Sequence, residues 1–134
     1  MTPSVRIILV DDFKPWRTFV ASLLQQNPEW QIVYEASDGL EAVQKAEQLQ
    51  PDLIVLDIGL PSLNGIEAAS SIRKVAPGSK ILFLSENRFS DIAAAALSAG
   101  GTGYVAKSDG ADELLLAVEA VLDGKRFVSS RFTG

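Results

Sequence analysis

The run Leu53-Ile54-Val55-Leu56 is wholly apolar and stops abruptly at Asp57. Such a run suits a strand covered on both faces, the situation of a central strand in a parallel sheet. The design recurs. Val5-Arg6-Ile7-Ile8-Leu9-Val10 stops at Asp11-Asp12, and Gly103-Tyr104-Val105-Ala106 stops at Lys107. A carboxylate beside a buried strand is costly unless something compensates it. If these runs are neighbouring parallel strands, their charges gather at the carboxyl ends, the edge at which open α/β sheets bind ligands. Three carboxylates at one point ask for a hard cation, and Mg²⁺ is the usual answer.

Strand-like and helix-like patterns alternate along the whole chain. Strands are expected at 5–10, 31–36, 53–56, 81–84 and 103–106. Pro15 sits where a first helical turn tolerates it. Behind it Trp16, Phe19, Val20, Leu23 and Leu24 follow a helical period that ends near Asn27-Pro28, with Trp16 and Phe19 read as core. Asp38 is placed to cap a second helix bearing Leu40, Val43 and Ala46, which stops before Pro51. Ile66, Ala69 and Ile72 mark a third helix, the alanine-rich stretch 90–99 a fourth, and Leu114, Val118, Val121 and Leu122 a fifth. The triplet Leu114-Leu115-Leu116 cannot all face inward on one helix, so at least one leucine turns to solvent or a partner. Short connections between βα units predict a five-stranded parallel sheet with helices on both faces. The segment from Lys125 to Phe132 shows no partner and reads as a domain end. The expected division is a domain over 1–124 and a tail or linker start over 125–134.

The chain has 134 residues, enough for one domain with a real core and no staples. It contains no cysteine and no histidine, which removes disulfides, thiolate metal sites, zinc-hydrolase chemistry and a Ser-His-Asp triad. A net charge of −5 argues against broad binding of nucleic acid by this domain. Met1-Thr2-Pro3-Ser4 lacks a signal-peptide pattern and no apolar run approaches membrane-spanning length, so a cytoplasmic protein without membrane contact is expected.

The residue types at the strand ends suit phosphoryl transfer. A carboxylate can act as nucleophile and become an aspartyl phosphate. Its charge and that of the incoming phosphoryl group repel, and positioned cations offset the repulsion. A lysine supplies a point charge to the phosphoryl oxygens, and a serine hydroxyl such as that of Ser85, ending the fourth strand, supplies a hydrogen bond. Each feature alone has a plain structural explanation: Asp11-Asp12 as a solvated turn, Asp57 as a cap, Lys107 as a surface charge. Their joint occurrence at strand ends, in this order, does not. Tyr104, on what is expected to be an edge strand, reads either as half-buried packing with a wet hydroxyl or as part of a switch.

With Asp11-Asp12, Leu56-Asp57-Ile58-Gly59-Leu60-Pro61, Gly65, Ser85, Tyr104 and Lys107 in place, the chain resembles the receiver domain of bacterial two-component response regulators over nearly its whole length. That resemblance implies a flavodoxin-like, doubly wound (βα)5 fold. It implies Asp57 as phosphoacceptor and Mg²⁺ held by Asp12, Asp57 and the Gly59 carbonyl, with Asp11 acting through water. Ser85 and Lys107 would contact the phosphoryl group, and Tyr104, with Ser85, would form the switch. The domain would not be an enzyme in the ordinary sense, although it assists its own phosphorylation and dephosphorylation. Its implied partners are a sensor histidine kinase or phosphotransfer protein and a phosphorylation-dependent homodimer. Gly103 to Ser108, the leucine-rich last helix and Gly124 to Ser129 resemble the LuxR-type (NarL/FixJ) subclass. DNA would then be reached only through a helix-turn-helix output domain that this chain lacks, and the output would be control of transcription.

Three positions depart from the receiver pattern. Glu86 stands where a small residue is usual, Ser108 where many receivers have proline, and Lys14 puts a cation near the acidic pair. Glu86 supports an alternative, an interaction module with a receiver fold and no phosphoryl chemistry. A haloacid-dehalogenase-type hydrolase fits less well, because the second aspartate expected two residues beyond the nucleophile is Gly59. A flavodoxin fits least, because the first loop is acidic where a phosphate cradle would be needed.

Overall fold

The computed structural model describes residues 5–87 and 89–129. Six parallel strands form one sheet in the order β2-β1-β3-β4-β5-β6. They are β1 (Val5–Val10), β2 (Trp30–Ala36), β3 (Leu53–Leu56), β4 (Lys80–Ser85), β5 (Gly103–Ala106) and β6 (Phe127–Val128). Five helices connect them: α1 (Lys14–Leu24), α2 (Gly39–Leu49), α3 (Gly65–Val75), α4 (Ser90–Ala99) and α5 (Gly110–Leu122), the last preceded by a short 3₁₀ turn, Lys107–Asp109. The flavodoxin-like, doubly wound reading holds, with one strand more than expected. Among the described residues no helix is long and apolar enough to cross a membrane.

Alternate residues of each central strand feed two separate cores. Ile7, Leu9, Leu53, Val55, Leu82, Leu84 and Val105 point to the side covered by α1 and α5, where Val20, Leu24, Leu114, Val118 and Val121 meet them. Ile8, Val10, Ile54, Leu56, Ile81, Phe83 and Tyr104 point to the other side and pack against α2, α3 and α4. Those three helices present mainly alanines: Ala42, Ala46, Ala68, Ala69, Ala93 and Ala96 are all buried. Each fully buried Leu, Ile or Val contributes roughly 1.5–3 kcal/mol relative to exposure. The all-apolar β3 is therefore among the best-anchored parts of the fold, and it carries Asp57.

Caps are where the sequence placed them, and one more appears. Asp38 Oδ1 accepts from the N–H of Glu41 (2.8 Å), while Glu41 Oε1 accepts from the N–H of Ser37 (2.8 Å). Asn64 Oδ1 accepts from the N–H groups of Ile66 and Glu67 at the start of α3.

The periodic reading of α1 and α2 was too generous. Phe19 is 38% exposed and Leu40 51% exposed. The buried side of α2 is Gly39, Ala42 and Ala46, because α2 lies so close to Leu63 that a Cβ on Gly39 would sit 1.8 Å from its carbonyl oxygen. Small residues, not large ones, mark that contact. Of the leucine triplet, Leu114 is buried and Leu116 faces solvent, as expected.

The segment expected to have no partner is partly built into the sheet. Phe127 and Val128 pair with Gly103 and Tyr104, and residues 125–129 continue the domain where a boundary at 124 was expected. The remainder of that expected tail, 130–134, lies outside the described residues. β5 is consequently not an edge strand.

Candidate functional site

The chain leaves β1 toward β2 on one side and enters β3 on the other, so the carboxyl ends of β1 and β3 open a crevice at the switch in strand order. Asp11 and Asp12 stand at one lip and Asp57 at the other. One carboxylate oxygen from each of the three lies within 4.8 Å of the others. Asp11 and Asp57 are buried, whereas Asp12 is exposed at the mouth. Their backbones are held by the sheet itself, since the Asp57 N–H donates to the Val10 carbonyl (3.1 Å) and the Asp11 N–H to that of Ala36 (3.1 Å).

Lys107, immediately after β5, reaches across β4's end to this cluster. Its Nζ is 2.7 Å from Asp11 Oδ2 and 3.3 Å from Asp57 Oδ2. The other oxygens are also occupied: Asp11 Oδ1 accepts from the Phe13 N–H (2.8 Å) and Asp57 Oδ1 from the Ile58 N–H (2.7 Å). Burial pushes the Asp57 carboxyl above its ordinary range; Lys107 pulls it back, Asp11 pushes it up again, and the net direction is upward. Burial works against the Lys107 ammonium, but Asp11 and Asp57 outweigh it and raise its pKa. Three carboxylates facing one ammonium leave an excess of negative charge. The donors are all hard oxygens, and this set fits a divalent cation such as Mg²⁺.

Around the cluster lies a cavity of about 410 Å³ lined by Asp12, Phe13, Asp57, Ile58, Gly59, Ser85, Glu86, Asn87 and Lys107. Every site residue expected from the sequence is here except Asp11, which is buried and paired with Lys107, and Tyr104, which is fully buried. Ser85 is buried, and its Oγ accepts from the N–H of Asn87 (3.1 Å). Tyr104 is fully buried and its hydroxyl donates to the Asn87 carbonyl (3.0 Å). The half-buried, wet alternative for Tyr104 does not hold, because the ring packs beside Phe83 in the core on the α2–α4 side. Burial raises the Tyr104 pKa; Ser85 lowers it in part, and the charge of Asp57 adds to the rise. Both hydroxyls thus address the two ends of one residue, Asn87, in the loop leaving β4.

Gly65 shows how tightly α3 is docked beneath the acceptor. A Cβ there would lie 1.9 Å from the Asp57 carbonyl oxygen and 2.8 Å from the Ile58 Cα, both backbone atoms with no rotamer to change. Gly65→Ala is expected to cost about 1–3 kcal/mol or somewhat more and to displace Asp57. A lowered urea midpoint together with weakened Mg²⁺-dependent stabilisation would bear this out. A midpoint equal to wild type would refute it.

Four residues of the surroundings carried no signal strong enough to single them out. Arg17 on α1 donates to the Asp11 carbonyl (2.7 Å) and pairs with Glu35 (2.9 Å), bracing the acidic loop from below. The Trp16 ring lies beside the lysine, its centroid 5.5 Å from Lys107 Nζ. Asn87 acts through its own backbone N–H and carbonyl, and Ser129 through the Ala106 N–H and the Tyr104 carbonyl. Lys14 is exposed and is not among the residues that line the cavity. Glu86 is exposed at the cavity's rim, which takes away the main support for an interaction module without phosphoryl chemistry.

Known proteins agree with this geometry. The family model described as the response regulator receiver domain matches residues 7–119. Transcriptional regulatory protein LnrK of Bacillus subtilis is 38% identical over 120 residues, covering 90% of this chain and 54% of that protein. Nitrate/nitrite response regulator protein NarL of Escherichia coli is 33% identical over 127 residues, 95% of this chain and 59% of that one. The chain therefore spans a little over half the length of these relatives. The crystal structure of a LuxR-family two-component response regulator from Aurantimonas sp. superposes with a TM-score of 0.93 at 37% identity, covering 97% of this chain and 93% of that one. With a match across most of its length and the strand-end charges gathered at one crevice, the chain belongs to the family of response regulator receiver domains.

Proposed function

We propose that Asp57 is the phosphoacceptor of a signalling switch whose donor is the phosphohistidine of a sensor histidine kinase or phosphotransfer protein. The observation that carries the reading is the convergence of Asp11, Asp12 and Asp57 within 4.8 Å, with Lys107 Nζ shared between Asp11 and Asp57. An Asp57 carboxylate oxygen attacks phosphorus, the P–N bond to the imidazole breaks, and an acyl phosphate forms. Water later attacks the phosphorus and releases inorganic phosphate, regenerating the carboxylate. Asp11, Asp12, Asp57 and the Gly59 carbonyl would hold Mg²⁺, which when bound neutralises charge on the phosphoryl oxygens.

The chain's own residues do the rest. Lys107 turns its ammonium from Asp57 to a phosphoryl oxygen. Ser85 exchanges its contact with the Asn87 N–H for donation to another phosphoryl oxygen. That exchange tugs the loop in which Asn87 also receives Tyr104, and so links the phosphoryl group to α4 and β5. The output is a two-state equilibrium read on the α4, β5 and α5 side, directed to transcription through an output domain beyond this chain. The LnrK and NarL relatives, described as regulators, support that direction.

Intact mass after incubation with acetyl phosphate tests the proposal. One phosphoryl group is expected on the wild type with Mg²⁺, none without Mg²⁺, and none on Asp57→Asn. An adduct that persists in Asp57→Asn would overturn the assignment.

A further inference from the structure

Ser129 is fully buried although it follows the last strand. Its N–H donates to the Tyr104 carbonyl (2.9 Å), and its Oγ accepts from the N–H of Ala106 (3.0 Å). In a parallel ladder, alternate residues of a strand turn their polar groups to the same neighbour. The Ala106 amide therefore faces the β6 side, beyond the last paired residues there, Tyr104 and Val128. The acceptor found there is the serine side-chain oxygen. A buried N–H left without an acceptor is costly. Ala106 is bonded directly to Lys107, whose Nζ serves Asp11 and Asp57. One side chain outside the cavity thus fixes the strand end from which the lysine springs.

We propose that Ser129 is a positioning residue for phosphoryl transfer: it holds the Ala106–Lys107 end of β5 so that the ammonium meets the acceptor. It also ties that strand end to the chain leaving the domain. The inference rests on Asp57 being the phosphoacceptor. It assigns a role to a segment that reads in the sequence as a bare tail.

The test compares the full chain with Ser129→Ala, Ser129→Thr and Val128→Ala. Ser129→Ala is expected to speed exchange of the Ala106 amide and shift the Lys107 Nζ resonance. Labelling by acetyl phosphate should slow by roughly ten- to a hundredfold, the cost of a misplaced group. Mg²⁺ affinity should be unchanged, because the carboxylates come from β1 and β3. Ser129→Thr keeps the oxygen and recovers most of the rate. Val128→Ala loosens the same strand without removing the acceptor and keeps the wild-type rate. Equal labelling of Ser129→Ala and wild type overturns the proposal, as does an equal loss in Val128→Ala. If the wild type is not labelled at all, it is the phosphoacceptor reading that fails. The exchange and resonance measurements then decide the positioning role, and unchanged signals in Ser129→Ala overturn it.

Discussion

Lys107→Ala is expected to destabilise the Mg²⁺-free protein by about 3–5 kcal/mol at pH 7, the usual cost of breaking a buried ion pair from one side. Asp11 and Asp57 are buried, and the ammonium lies 2.7 Å and 3.3 Å from them. Removing it leaves two like charges facing each other in a poorly solvated crevice. The wild-type arrangement need not be strongly stabilising for this to hold, because the penalty belongs to the carboxylates left behind. Mg²⁺ should restore much of the loss, since a divalent cation at the same oxygens supplies the missing charge. Urea unfolding in EDTA and in excess Mg²⁺ reads both effects. A variant within about 1 kcal/mol of wild type in EDTA, the range of an exposed pair, would show that the crevice is solvated and the lysine expendable.

The pH dependence has a definite sign. The folded protein raises the Lys107 pKa, so the ammonium's contribution is complete below the ordinary lysine value of about 10.4 and fades as pH rises through the higher folded value. Wild type should therefore lose stability in strong alkali by a route that Lys107→Ala lacks. In acid the gap between the two should narrow, because the Asp57 carboxyl, its pKa raised chiefly by burial, protonates and no longer needs a counter-charge.

These charges were legible in the sequence because each sits at the end of an apolar run, and chemistry and position were both visible. β3 is the clearest example: four apolar residues and then Asp57. What could not be read was anything decided by fit. Leu40 follows the helical period yet is exposed, because the approach of α2 to Leu63 admits only small residues. Phe19 lies at the margin of a broad apolar stripe and packs against Trp16 with ring centroids 5.1 Å apart, outside the core proper. β6 is two residues long, too short to show any period, and its continuation is the hydrogen bond that the Ser129 Oγ accepts from the Ala106 N–H.

The same division runs through the site. Asp11, Asp12, Asp57, Ser85 and Lys107 announce themselves by residue type. Arg17 contributes through a bond to a backbone carbonyl and Asn87 through its own backbone groups, and nothing in their identity distinguishes them from surface residues. Trp16 looked like core because it lies on the apolar face of α1, yet its ring ends up beside the lysine of the site. Residues that carry charge can be found by inspection. Residues that hold charge in place need coordinates.

Asp57→Asn should reverse its rank against wild type when Mg²⁺ is added. Folding raises the Asp57 pKa, through burial first and the Asp11 charge second, with Lys107 and the Ile58 N–H opposing. A carboxyl with a raised folded pKa costs the folded state stability as pH rises from its unfolded pKa to its folded pKa, and above the folded value that burden is complete. At pH 7, well above the ordinary carboxyl range, the burden is at work, and the neutral amide removes it. One favourable contact is lost in exchange, since the single amide oxygen can serve the Ile58 N–H or Lys107 but not both. In EDTA the variant should accordingly melt no lower than wild type. With Mg²⁺ at a hundred times its dissociation constant, wild type gains about 2.7 kcal/mol, on the order of 10 °C for a domain of this size. The variant lacks one of the three carboxylates of the cluster and should gain far less. Melting curves in the two buffers must therefore cross in rank. If Asp57→Asn already melts several degrees below wild type in EDTA, the ionised Asp57 is a net stabiliser and the burial argument fails. If it rises with Mg²⁺ as much as wild type, the cation is held without Asp57.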